Sequence, residues 1–202
     1  MKQILFSLFV VSFLACKNDS TNSKLESVDP SQVSGAAPVD PKTLTVPKAC
    51  ELITAEQVQD ILNTKSPVNL KESNDPNNDK TKSCFFKWDD ANTANAGILI
   101  QVMTNPVFDD YPQYISTFID TKLKEGEMMM GQDTPIKYGK FDADGKPGAY
   151  SFQQARFYWA GDNNYLFMLA FNVSTLSEGN MVDAAEEIAE IINENFAKKV
   201  KK

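Results

Sequence analysis

The sequence predicts an α+β domain: an antiparallel sheet of about five strands covered by helices, in the order α-β-β-α-β-β-β-α. Three observations lead there. Segment 165–173, YLFMLAFNV, is apolar on both of its alternating faces, as a central strand covered on each side must be. Segments 83–90 and 97–104 alternate at strand period on either side of a short polar turn, DANTANA. Segments 111–125 and 177–197 carry their apolar residues at helical spacing.

The chain opens with MKQILFSLFVVSFLA, one lysine followed by an apolar run ending in a small residue, the layout of a secretory signal peptide over 1–15. The run is shorter than the roughly 18–20 apolar residues a membrane-spanning helix needs. Leu14-Ala15-Cys16 resembles the lipobox of bacterial lipoproteins, with Phe13 where leucine is usual. That resemblance implies cleavage before Cys16 and attachment of acyl chains, including palmitate, to its sulfur and amino group. Each buried methylene would contribute about 0.8 kcal/mol to anchoring. The alternative is ordinary cleavage after Ala15, leaving an exposed thiol. Lys17-Asn18-Asp19 resembles the tag that sends Bacteroidota lipoproteins to the outer face of the outer membrane, and Asp19-Ser20-Thr21 resembles the O-glycosylation sites of that phylum.

Residues 16–47 then read as a lipidated N-terminus and flexible tether, partly stiffened by Pro30, Pro38, Pro41 and Pro47, and residues 48–202 as a single domain. The domain begins at a capping box, Thr54-x-x-Gln57, with Ile53 and Val58 as the hydrophobic staple, so a short helix follows. Segment 74–82, NDPNNDKTK, is a loop. In the first predicted strand Cys84, Phe86 and Trp88 share a face, and in its partner Ile98, Ile100 and Val102 do so. The helix over 111–125 presents Tyr111, Tyr114, Ile115, Phe118, Ile119 and Leu123 on one side, and tolerates Pro112 in its first turn. A short strand over 136–141, a turn at Asp142-Ala143-Asp144-Gly145, and strands over 149–160 and 165–173 complete the sheet. The last helix, 177–197, turns Glu186, Glu187, Glu190 and Glu194 to water, and the lysines that follow suit the negative end of its dipole.

Of the 202 residues 42% are hydrophobic and 10% aromatic, which supports a folded core rather than disorder. A formal charge of -7 argues against nucleic acid as a partner. Histidine is absent, which removes Ser-His-Asp and Cys-His catalysis and the imidazole ligands of most catalytic zinc sites. No cofactor motif is present, and no catalytic or metal-binding set is assigned.

Export makes Cys50 and Cys84 either a disulfide or two buried thiols, and the oxidising envelope favours the bond. The run Cys50-Glu51-Leu52-Ile53-Thr54-x-x-x-Val58, followed by Cys84-Phe85-Phe86-Lys87-Trp88, resembles actinobacterial lipoproteins of unknown function that look PsbP-like in fold. The resemblance covers about 50–88 and implies a helix-covered antiparallel sheet with a Cys50–Cys84 bridge; it carries no catalytic residue and no ligand.

Several local patterns invite chemistry. Asp75-x-Asn77-x-Asp79 has the opening spacing of a calcium loop, but Lys80 and Phe86 stand where its glycine and glutamate belong, so a polar turn is the better reading. The pairs Asp89-Asp90 and Asp109-Asp110 suit turns and helix caps. Met128, Met129 and Met130 are an adaptable apolar contact or a lid on the core. Phe157-Tyr158-Trp159 cannot all face one side of a strand, so at least one lies under a helix or at a binding surface; Arg156 beside them is an anion clamp or an ordinary strand residue. Met128, Met129, Met130, Trp159 and Arg156 are therefore the expected binding surface. The functional expectation is a lipid-anchored outer-membrane protein, surface-exposed or not, whose domain binds or scaffolds a protein or small molecule without catalysis. The alternatives are a carboxylate-dependent hydrolase of envelope polymers and an immunity or inhibitor lipoprotein.

Overall fold

The structure, a computed structural model, describes residues 39–73 and 79–200. The signal peptide, Cys16, Asp19-Ser20-Thr21, most of the tether, and Asp75 and Asn77 lie outside the described residues.

The elements in chain order are α1 (Ala55–Ile61), β1 (Asn69–Ser73), β2 (Thr81–Lys87), β3 (Gly97–Met103), α2 (Tyr114–Glu125), β4 (Gly139–Ala143), β5 (Lys146–Ser151), β6 (Arg156–Ala160), β7 (Leu166–Asn172) and α3 (Glu178–Val200). The strands form one seven-stranded sheet in the order β1-β2-β3-β7-β6-β5-β4, every neighbouring pair antiparallel. The class is therefore α+β, as the residue pattern predicts, but with seven strands in place of about five.

Two features of the chain account for the difference. β1 reads NLKES and buries almost nothing, so it has no alternation to detect; its backbone pairs along the edge of β2. The predicted strand 149–160 is two strands, because the chain reverses at 152–155, where Ala155 adopts φ 50° and its N–H donates to Phe152 O at 3.0 Å. The β4–β5 turn is Asp144-Gly145, both at positive φ, the backbone a two-residue hairpin turn demands. α2 begins three residues later than expected, at Tyr114, because Asn105 holds 106–112 as a loop. Its Nδ2 donates to Tyr111 O (2.8 Å) and Pro112 O (3.2 Å), and its Oδ1 accepts from Val107 N–H (2.9 Å).

The capping box forms as read: Gln57 N–H donates to Thr54 Oγ1 and Thr54 N–H to Gln57 Oε1. Cys50 and Cys84 are disulfide-bonded, tying the Ala49–Glu51 turn to β2. Folded structure starts before residue 48: Pro41 and Val46 are buried, and Tyr165 Oη–H donates to Thr45 O at 2.9 Å.

The sheet has two unequal faces. On one, Phe86, Ile100, Phe167, Leu169, Phe157 and Trp159 pack under α3 together with α1 and the segment from Leu44 to Ile53. On the other, Ala149, Tyr158 and Leu166 meet α2 through Ile115, Ile119 and the half-buried Phe118. β7 sits in the middle and feeds both faces, with Phe167, Leu169 and Phe171 on the first and Leu166, Met168 and Ala170 on the second.

Candidate functional site

α2 is only 12 residues long and covers β5, β6 and the start of β7. Directly opposed residues of an antiparallel pair share a face, so the register places Arg156, Ala170, Leu99, Phe85 and Lys71 in one row across β6, β7, β3, β2 and β1. The neighbouring row runs Tyr158, Met168, Gln101, Ser83 and Ser73. Phe85, Leu99, Gln101, Met168 and Ala170 are half-buried, Lys71 and Arg156 exposed. Half of this face therefore presents an apolar strip with basic residues at both ends, Lys87 lying 6.0 Å over the Phe85 ring.

At the boundary between covered and open halves stands a compact polar cluster. Lys122, in the last turn of α2, lies over three rings, 5.3 Å from Phe118, 5.1 Å from Tyr138 and 5.5 Å from Tyr158. Its Nζ pairs with Glu127 Oε2 at 2.7 Å, and its side chain is only 13% exposed. Aromatic faces attract a cation by about 0.5–2 kcal/mol each, more as water is excluded. Gly126, at φ 81°, makes the arrangement possible: a Cβ there would collide with Ile136 O, and its reversal lets Glu127 pair backbone to backbone with Ile136 at 2.9 Å in both directions. Tyr138 Oη lies 2.5 Å from Glu127 Oε2 and 2.6 Å from Gln154 Oε1, one proton between two acceptors. Gln154 Nε2–H in turn donates to Met129 Sδ at 3.3 Å.

The charges follow from these contacts. Burial by itself would raise the Glu127 carboxyl, but Lys122, the Tyr138 hydroxyl and Arg156 outweigh it and hold the carboxyl below its ordinary value. Tyr138 is pushed far up, first by burial and then by the bond to Glu127. Tyr158 is raised by burial against the opposing pull of Arg156, and Tyr114 by burial. Phenols so shifted keep their protons near neutrality. The cluster ties the loop after α2 in place.

The loop it holds is the methionine run. Met128, Met129 and Met130 are 60%, 41% and 103% exposed, so they form a surface feature and do not lid the core. Arg156 is also exposed, and its charge acts on Glu127 and Tyr158. Trp159 does not belong to this surface, a correction to the expected set: it is fully buried on the opposite face, stacked on Phe167 at 5.1 Å, with Nε1–H donating to Asn193 Oδ1 at 3.0 Å. Alternation puts Trp159 with Phe157 and leaves Tyr158 as the aromatic of the site. Lys122, Glu127, Tyr138 and Gln154 carry no motif and are not legible in the sequence; the one local signal is Gly126 just past the end of α2.

A second, differently built region lies against α3. Asp142 and Asp144 of the β4–β5 hairpin face Glu186, Glu187 and Glu190 across a groove of about 380 Å³, and all five side chains are exposed. Among the described residues no group of three or more His, Cys, Asp and Glu is placed to hold a metal ion, and no helix is long and apolar enough to cross a membrane. Asp90 serves its turn, accepting from Asn92 N–H and Thr93 N–H at 2.8 Å each.

Fold and site together define an α+β domain with one extensively covered sheet face and one half-open face edged by a methionine loop. Comparison with family models, curated proteins and solved structures finds no match to this chain.

Proposed function

We propose that this protein is a lipid-anchored protein of the cell envelope, held at the outer membrane through Cys16, whose domain binds a protein partner and performs no reaction. The half-open sheet face carries this reading: an apolar strip of Phe85, Leu99, Met168 and Ala170 between Lys71, Lys87 and Arg156, bordered by Met128–Met130. Such a surface complements an apolar patch rimmed with carboxylates. The lipobox resemblance supports the anchor, and the disulfide fits an oxidising compartment. The disulfide and helix-covered antiparallel sheet also fit the proposed PsbP-like relationship.

The test is capture from detergent-solubilised envelope membranes by the full chain, beside a Leu99→Asp variant of unchanged fold. A partner retained by wild type and lost by the variant supports the reading; equal retention by both, or none by either, removes it. The acidic groove favours a second reading, a carboxylate-dependent hydrolase of envelope polymers. Turnover of envelope polysaccharide or peptidoglycan that disappears in Asp142→Asn and Glu187→Gln variants would replace the first reading with this one.

A further inference from the structure

Six of the seven methionines lie within the described residues, and their surroundings differ sharply. Met181 is 3% exposed on the buried face of α3, and Met103 and Met168, in β3 and β7, are half-buried. Met128, Met129 and Met130 stand consecutively in water at 60%, 41% and 103% exposure. A thioether reacts with a peroxide at a rate set mainly by access to its sulfur, and the product is polar where the reactant was apolar. The three side chains are thus both the most exposed methionines among the described residues and an apolar patch whose character the reaction would reverse. Met129 has a further connection. Its sulfur accepts from Gln154, whose carbonyl oxygen meets the Tyr138 hydroxyl, which meets Glu127, the partner of Lys122. This chain of contacts runs from the loop tip to the aromatic cage at the end of α2.

We propose that Met128–Met130 is a sulfoxidation site for oxidants of the hydroperoxide class, and that oxidation at Met129 is transmitted to Tyr138. In the step, a sulfur lone pair attacks one oxygen of hydrogen peroxide. The S–O bond forms as the O–O bond breaks, sulfur gives up two electrons, and the second oxygen leaves as water after proton transfer. A sulfoxide oxygen is a far stronger acceptor than a thioether. It draws the Gln154 amide toward the loop and leaves the Tyr138 proton to Glu127 alone. Conversion back requires a methionine sulfoxide reductase. The assignment goes beyond the binding reading and does not rest on it.

The experiment exposes the purified protein to dilute hydrogen peroxide and maps added oxygen by peptide mass spectrometry, on wild type and on Met129→Leu. The three loop methionines are expected to oxidise roughly tenfold or more faster than Met181, with Met103 and Met168 between. Oxidation of Met181 or Met168 as fast as the loop would overturn the site. In near-ultraviolet circular dichroism, oxidised wild type is expected to change its tyrosine band, and oxidised Met129→Leu, still carrying Met128 and Met130, to keep it. The same change in both proteins, or none in wild type, would overturn the transmission. Because Met129 is a surface residue, the leucine variant retains the fold, and mapping of wild type alone decides the first half.

Discussion

The two faces of the sheet solve the same covering problem with different resources. One is closed by the 23-residue α3 together with α1 and the Leu44–Ile53 segment, and what lies beneath is almost wholly apolar and aromatic. The other has only the 12-residue α2, and here the polar cluster, the methionine loop and the exposed strip are found. Under α3 the buried Asn193 accepts from Trp159 Nε1–H and donates to Ala143 O, at 3.0 Å each. Where cover runs out, Lys122 and Glu127 keep contact with water at their edges and still gain from the rings around them. Incomplete helical cover thus leaves both the surface a partner needs and the tolerance for charge beside it.

Substitution can break this comparison. The largest effect is expected in the closed face: Phe167→Ala removes a ring stacked on Trp159 and edge-on to Phe196, and should cost about 3–5 kcal/mol in urea unfolding. Phe118→Ala, on the half-open face, should cost less than half as much; equal losses would mean the faces are equally closed. Next, replacing Cys50 and Cys84 together by serine should cost about 3–4 kcal/mol, since the bridge spans a sequence separation of 34. Lys122→Met should cost about 1–3 kcal/mol, below the figure for a fully buried pair because Glu127 keeps 26% of its side chain exposed.

A pH series sharpens the same point. The folded Glu127 carboxyl lies below its ordinary 4.5, so its contribution is present above that value and is lost as pH falls through the folded one. The wild-type unfolding midpoint should therefore fall more steeply below pH 4.5 than that of Glu127→Gln; parallel curves would show that the cluster does not stabilise the loop electrostatically. Smallest of all, Met130→Ala should change stability by less than about 0.5 kcal/mol, because a side chain 103% exposed packs against nothing.

Much of the fold was legible wherever burial imprints a period. The capping box at Thr54, the double-faced strand β7 and the long α3 came directly from spacing. β1 was not legible because an edge strand pairs through its backbone and asks little of its side chains. The reversal at 152–155 was missed because Gln153-Gln154 carries none of the glycine or proline that usually marks a turn, and Ala155 takes the left-handed conformation instead. In the candidate site Met128–Met130 and Arg156 were legible as oddities of composition. Trp159 was misplaced because its face depends on which parity of β6 looks toward α3, and three bulky residues in a row conceal that parity.

By itself, the sequence determined the α+β class, the helix start at Thr54, the cysteine pair available for bonding and the exclusion of histidine chemistry, since each depends on residue identity or on spacing within a few turns. Tertiary structure alone decided that α2 covers half a face, that Lys122, Glu127, Tyr138 and Gln154 converge behind the methionine loop, and that Trp159 turns away from it. Those outcomes depend on how helices of unequal length lie across a sheet, and residues that meet across such an interface share no period that a linear pattern can carry.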